Sequence, residues 1–436
     1  MTKRFELDGG TVLMVEESHA VPLVSMSVAT RTGAVLDPEG MEGATRLAVR
    51  MLRRGCRGMT ATEIETAIDA MGAELGAEVL WSQTSVGGQC IGRSARQFAE
   101  LVGRLLGEPT FPDDEVARLV RETQAEIINA RDDDRSLCER AHRRTFYEGH
   151  PYGRTVRGTR ASVERAGTRD VIRRSYETHF TRGNTVVALA GDVTEDDARA
   201  IAETLVAGLP QGSAPADTTP EPVERPGRRL VFVDKPDRTQ TQILIGTLGT
   251  HAKDEDHVPL AVANAVFGGT FTARLMREVR SKRGWSYGAS SRLGVDRRRQ
   301  PLTMWTFPAQ ADAPACLTLE IELLEALVSG GITQKELKFI QKYLGRSWAF
   351  EIDTAQKRVG HVMEEDLLPL PEGYYGKWVE RVEETTLEQC NAALTKRIHP
   401  ENLLVTVVGT ASSSVDAIAA AIPKLGQQDI VPFDRD

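Results

Sequence analysis

Arg280 and Tyr287 stand seven residues apart and carry a guanidinium and a phenol, side chains that act by donating hydrogen bonds. Gly268-Gly269 ends one expected helix, Thr270 or Thr272 caps the next, and Leu275, Met276 and Val279 give that helix an apolar face before Gly284 stops it. Arg280 falls in its last turn and Tyr287 in a short alternating strand beyond it, so a helix end and a strand start direct both side chains toward one cleft. Each also has a plainer explanation: a cation favours a helix C-terminus, and a tyrosine suits an amphipathic strand. Metal ligation has no comparable candidate. His142 and His150 have no Glu between them in helical register, His251 and His257 fall on an expected loop, and His19, His179, His361 and His399 are isolated. Cys56, Cys90, Cys138, Cys316 and Cys390 are far apart with no Cys-x-x-Cys pair, which suits a reducing compartment and five small core residues. No nucleophile with a neighbouring base can be assembled either.

The elements that position such residues follow from the rest of the chain. Its 436 residues, 41% apolar and 27% charged, bury a large core and exclude disorder, collagen and coiled coil. A net charge of −8 argues against a general nucleic-acid binder. No apolar run is long enough to span a bilayer, and Met1 leads straight into strand-like sequence, so a cytoplasmic protein with no membrane partner is expected. Gly208 to Gly227 holds Pro210, Pro215, Pro220, Pro222 and Pro226, a quarter of the chain's 20 prolines, and reads as a linker. On either side the sequence repeats itself. Leu13-Met-Val-Glu16 matches Val231-Phe-Val-Asp234, and Asn184-Thr-Val-Val-Ala-Leu-Ala-Gly191 matches Asn402-Leu-Leu-Val-Thr-Val-Val-Gly409, both at an offset of 218. Residues 43–54 place Ala44, Leu47, Ala48, Met51 and Leu52 on one helical face, 97–106 and 114–130 have helical patterns, and Glu78 to Ile91 reads as a strand pair turning at Gly87-Gly88. The expectation is an α+β protein of two homologous halves, 1–207 and 229–436, joined by a linker at 208–228. Each half is an antiparallel-rich sheet with one face covered by helices.

Over nearly its whole length the chain resembles the insulinase-like zinc metallopeptidases, the superfamily of pitrilysin and the mitochondrial processing peptidases. The resemblance rests on Gly43-Ala-Thr-Arg-Leu-Ala-Val-Arg-Met-Leu-Arg-Arg-Gly55, on His150-Pro-Tyr-Gly-Arg154 with Gly158-Thr159, and on Phe267-Gly-Gly-Thr-Phe-Thr-Ala-Arg-Leu275 leading to Arg280 and Gly284-Trp-Ser-Tyr287. Active members carry His-x-x-Glu-His in the first fragment, two imidazoles for the zinc and a Glu that activates water. Here those positions are Arg46, Val49 and Arg50. Guanidinium has no lone pair for a metal and Val accepts no proton, so zinc chemistry is excluded at this site. The resemblance puts the third ligand at Glu126, with Glu122 one turn earlier. Either these belong to a solvated acidic helix face, or Arg46 or Arg50 fills the place of the ion and pairs with Glu126.

The same resemblance implies that Arg280 and Tyr287 face a zinc site and stabilise the oxyanion of peptide hydrolysis. It also implies that substrate adds as a strand near Gly76 to Ser85, with Trp81 and Gln83 beside it, though a plain edge strand explains that stretch equally well. The chain then reads as the non-zinc subunit of a heteromeric peptidase. It carries no cofactor of its own, a homologous partner with His-x-x-Glu-His supplies the zinc, and a peptide is the substrate. A scaffolding or peptide-binding protein of the same fold is the alternative, and homodimerisation stays open for the chain alone.

Overall fold

Val12-Leu-Met-Val and Val186-Val-Ala-Leu-Ala are apolar at consecutive positions, the pattern of strands covered on both faces. They pair in parallel as β2 (Val12–Glu17) and β6 (Thr185–Gly191), with Leu13 opposite Val187. β1 (Lys3–Glu6), β3 (Leu23–Thr30), β4 (Glu74–Val79) and β5 (Thr84–Ile91) complete a six-stranded sheet of order β1-β2-β6-β3-β5-β4, all other pairings antiparallel. A second sheet is built from β7 (Arg228–Asp234), β8 (Gln242–Leu248), β9 (Ala289–Leu293), β10 (Pro301–Thr306), β11 (Leu404–Gly409) and β12 (Leu425–Pro432). Its order is β12-β7-β11-β8-β10-β9, and β7 with β11 repeats the inner parallel pair. Five strands therefore correspond one to one, and the repeat in the sequence is a repeat in topology. The edges differ, since β1 runs antiparallel to β2 whereas β12 runs parallel to β7.

The computed structural model describes residues 2–435, which form two compact units. The first comprises the described residues up to Ile127, Arg154–Thr219 and Ala349–Tyr375; the second comprises Ile128–Gly153, Pro220–Trp348 and Gly376 onward. In the first unit, α1 (Ala44–Met51), α2 (Ala95–Gly107) and α3 (Asp113–Asn129) cover one sheet face, where Leu47, Met51, Phe98, Val102 and Leu119 pack with Leu13, Val15, Met26 and Val28. In the second, α4 (Asp134–Phe146) lies on the sheet although it precedes the linker in sequence, with Leu137 and Cys138 against Val233, Leu244 and Val408. The main face of that sheet is covered by α6 (Ala313–Gly330) and α7 (Gln334–Glu351) through Leu317, Ile321, Leu324, Leu337 and Ile340. α8 (Ala355–Leu367) follows the linker yet belongs to the first unit, where Ala355, Val359 and Leu367 cover Val12, Met14, Val186 and Ala188. The consecutive apolar positions of β2 and β6 thus serve two cores. α5 (Arg169–His179) stands beside α1.

Two local expectations are corrected. The hairpin after residue 78 turns at 80–83, and Gly87 and Gly88 lie inside β5. A Cβ on Gly87 would come 2.4 Å from the Met26 carbonyl oxygen and one on Gly88 1.7 Å from that of Glu74, so these glycines serve close strand approach rather than a turn. The helix expected over 43–54 stops at Met51. All five cysteines are buried and unpaired, and among the described residues no helix is long and apolar enough to cross a membrane.

Candidate functional site

Helix α1 starts without a cap of its own, because Gly43 is left-handed at φ +97° and carries no side chain. Asp37 supplies the acceptors from six residues away: Oδ2 takes the Gly43 N–H at 2.8 Å, and Oδ1 takes the Thr45 N–H at 2.9 Å and its hydroxyl at 2.6 Å. Burial pushes Asp37 up to about 6, against those hydrogen bonds. Thr45 Oγ1 also meets His179 Nε2 at 2.8 Å, and His179 Nδ1 meets Thr32 Oγ1 at 2.7 Å. The hydroxyl of Thr45 has one proton and gives it to Asp37, so His179 carries its proton on Nε2 and accepts from Thr32 at Nδ1. Burial holds His179 neutral, down to about 4. This buried chain fixes the axial position and rotation of α1.

The face that α1 presents is made of arginine. Arg46 Nη2 lies 2.8 Å from Glu126 Oε2 and Arg50 Nη2 2.8 Å from Glu126 Oε1, so one carboxylate is held by two guanidiniums. Arg50 also donates to Thr123 Oγ1 at 3.2 Å. One turn on, Arg54 reaches Glu122 at 2.6 Å and Glu115 at 3.2 Å, and Arg118 closes on Glu115 at 2.9 Å. Burial raises Glu126, but the hydrogen bond from Arg46 and the charges of Arg46 and Arg50 outweigh it and hold the carboxyl below its usual range. The Arg54 hydrogen bond does the same for Glu122. Val49 points the other way and is a core residue, 2% exposed. Arg46, Val49 and Arg50 therefore present two cations and a packed aliphatic group, a donor set that does not fit a metal. No group of three or more His, Cys, Asp or Glu converges elsewhere among the described residues. Arg54 and Glu115 escape the sequence reading, although Arg46, Arg50 and Arg54 at four-residue spacing mark a continuous cationic line.

In the second unit the expected helix before Tyr287 is a wide π-type turn, Met276–Ser281. Thr270 is extended and donates to the Ala265 carbonyl rather than capping it. Gly268 permits close passage of β9, since a Cβ there would come 2.6 Å from Ser291 N. The cations around Arg280 are paired. Arg274 binds Glu336 at 2.7 Å, while Arg277, Lys282 and Arg283 gather on Glu278. Arg280 itself lies over the exposed Phe271 ring, 5.0 Å from the centroid, with no ion pair among the described residues. Tyr287 precedes β9 instead of lying in it. Its neighbours are tied down, since Ser286 Oγ donates to Gly288 O at 2.7 Å and accepts from Phe307 N at 3.2 Å, and the phenol stands out 79% exposed. Tyr287 is thus solvent-facing while Arg280 is half-buried, and no hydrogen bond joins them among the described residues.

β4 is the free edge of the first sheet and its middle residues are exposed, while Trp81 and Gln83 sit in the turn after it, the Trp81 indole N–H donating to Arg154 O at 2.9 Å. A separate cleft of about 330 Å³ in the first unit, lined by Arg57, Glu108, Phe111, Arg173, Tyr176 and Glu177, contains none of the expected site residues.

Residues 12–160 match the family model for insulinase, peptidase family M16, and residues 167–344 match that for the peptidase M16 inactive domain. An uncharacterized zinc protease of Mycobacterium leprae is 25% identical over 397 residues, 89% of this chain and 87% of the relative. A non-peptidase homolog from Helicobacter pylori is 19% identical over 398 residues, 91% of each. The crystal structure of a peptidase M16 inactive domain from Pseudomonas fluorescens superposes with a TM-score of 0.86 at 25% identity, covering 94% of this chain and 98% of that one. With two successive models matched in order and the duplicated sheets in place, the chain belongs to the insulinase-like M16 family as an inactive member.

Proposed function

We propose that this chain is the non-zinc subunit of a heteromeric zinc peptidase, and that it supplies Arg280 and Tyr287 to the oxyanion formed at a homologous partner's zinc. The observation that carries the reading is the contrast between the two halves. Each guanidinium on the α1 line pairs with a carboxylate, whereas Arg280 and Tyr287 have no ion pair or hydrogen bond among the described residues while their surroundings are pinned by Ser286 and by the ion pairs at Glu278 and Glu336. Preorganised donors with no partner of their own are what transition-state stabilisation requires. The test is to co-express the chain with a homologue carrying an intact His-x-x-Glu-His helix, then measure peptide hydrolysis and zinc content of each chain alone and of the pair. Hydrolysis by the pair only, with zinc in the partner only, is expected.

A scaffolding or peptide-binding protein of the same fold is the second reading. The free edge of β4 favours it, because strand addition uses main-chain hydrogen bonds and needs no metal. The relative from Helicobacter pylori that is named a non-peptidase homolog supports the same view. Peptide binding without cleavage by any co-purified pair would decide for it.

A further inference from the structure

We propose that the outward face of α7 is a docking surface for an anionic lipid bilayer. Lys335, Lys338, Lys342 and Arg346 recur along this helix at steps of three, four and four, forming one exposed cationic line without an ion pair among the described residues. Beside it Phe339 and Tyr343, one turn apart, are 55% and 47% exposed. The helix is not free to turn these groups inward. Leu337 and Ile340 are buried in the core, and the Gln341 amide donates to the carbonyls of Val382, Glu383 and Thr385 at 2.9, 3.0 and 3.0 Å, gripping α9 (Trp378–Glu384) and its end. Of the two acidic residues of the helix, Glu336 is held by Arg274 and Glu351 is its last residue.

Four unpaired cations on a chain of net charge −8, flanking two exposed rings, call for a partner that is both anionic and apolar. A flat bilayer surface meets that description. Three of the four cations are lysine, a residue depleted at protein interfaces, which favours a bilayer over a protein partner. Rings at the headgroup level with cations beside them are the pattern of interfacial binding. The acidic remainder of the chain does not oppose this at physiological salt, where charges beyond about 8 Å are screened. The expectation of no membrane partner rested on the lack of a spanning segment, and attachment here is peripheral. It requires no partner subunit and stands apart from the peptidase reading.

The test mixes the full chain with extruded vesicles of phosphatidylcholine, either alone or with about a third phosphatidylglycerol, and follows co-sedimentation. Binding is expected to the anionic vesicles only, and salt should release it. Lys338→Glu with Lys342→Glu should weaken it at least about 25-fold, on roughly a fivefold contribution per cation. Phe339→Ser should weaken it and leave the remainder fully salt-sensitive. Lys253→Glu, an exposed charge change elsewhere in the same unit, should bind as the unaltered chain does. Binding to neither vesicle, equal binding to both, or equal losses in the Lys253 and Lys338/Lys342 variants overturns the proposal. Retention of single-stranded DNA or polyglutamate without vesicle binding assigns the face to another partner and overturns it as well. The wild-type salt release reads the same contact if a variant fails to fold.

Discussion

Arg46 and Glu126 meet at 2.8 Å across α1 and α3, eighty residues apart in sequence, and Arg50 takes the other oxygen of the same carboxylate at the same distance. The carboxylate thus has opposite charge on both of its oxygens.

Glu126→Gln leaves two partly buried guanidiniums facing a neutral amide. We expect a loss of about 1–2 kcal/mol in denaturant unfolding, between an exposed pair and a fully buried one. The folded-state pKa of Glu126 is depressed, so its contribution is present above the unfolded value of about 4.3 and disappears as pH falls through the folded one. The difference between wild type and Glu126→Gln should therefore shrink on acidification. A variant as stable as wild type at pH 7 would show that the pairing is a solvated surface contact.

Val49→Glu tests how far the site has moved from catalysis. The position is 2% exposed and belongs to the core, so a carboxylate there is buried without a partner and should lower stability by about 3 kcal/mol. Wild type should carry no stoichiometric zinc by elemental analysis. About one tightly held zinc per purified wild-type chain would contradict the donor chemistry argued for α1.

Glu320 lies on the face that α6 turns into the core with Cys316, Leu317 and Leu324, and neither carboxylate oxygen has a hydrogen-bond partner. Burial raises it to about 8. The raised value means that the folded chain holds this proton more tightly, so the stability it confers is complete below about pH 4.3 and is lost as pH climbs toward 8. Glu320→Met should therefore stabilise the chain, by little at pH 5 and by about 2–4 kcal/mol at pH 8. Thermal melts across that range check the slope, and a destabilised Glu320→Met at pH 8 would point to a partner for the carboxyl.

Tyr287→Phe and Arg280→Ala should each slow peptide cleavage by the assembled pair by about 10²- to 10³-fold, with KM changed far less. A donor aimed at the tetrahedral oxyanion touches the ground-state carbonyl weakly, so its loss appears in kcat. Neither side chain makes an ion pair or hydrogen bond among the described residues, Tyr287 being exposed and Arg280 half-buried over the Phe271 ring, so assembly and partner zinc should stay intact. Near-normal turnover in both variants would favour the scaffolding reading.

What the sequence determined by itself is chemical and periodic. Arginine cannot ligate zinc in any conformation, so Arg46 and Arg50 settled the question at that helix before any fold was known. The repeat of Leu13 to Glu16 at Val231 to Asp234 announced two equivalent sheets, because strand patterns survive duplication. Tertiary structure decided whatever depends on which surfaces meet. Gly87 and Gly88 look like a turn in sequence, yet the closeness of Met26 and Glu74 puts them inside a strand. Consecutive apolar residues in β2 require a second cover but do not name it, and α8 supplies it from beyond the linker. Arg54 with Glu115 and the double grip on Glu126 depend on the register between α1 and α3, which local propensity does not encode. Tyr287 faces solvent because Ser286 anchors the backbone on either side of it, a contact made with Phe307 some twenty residues away.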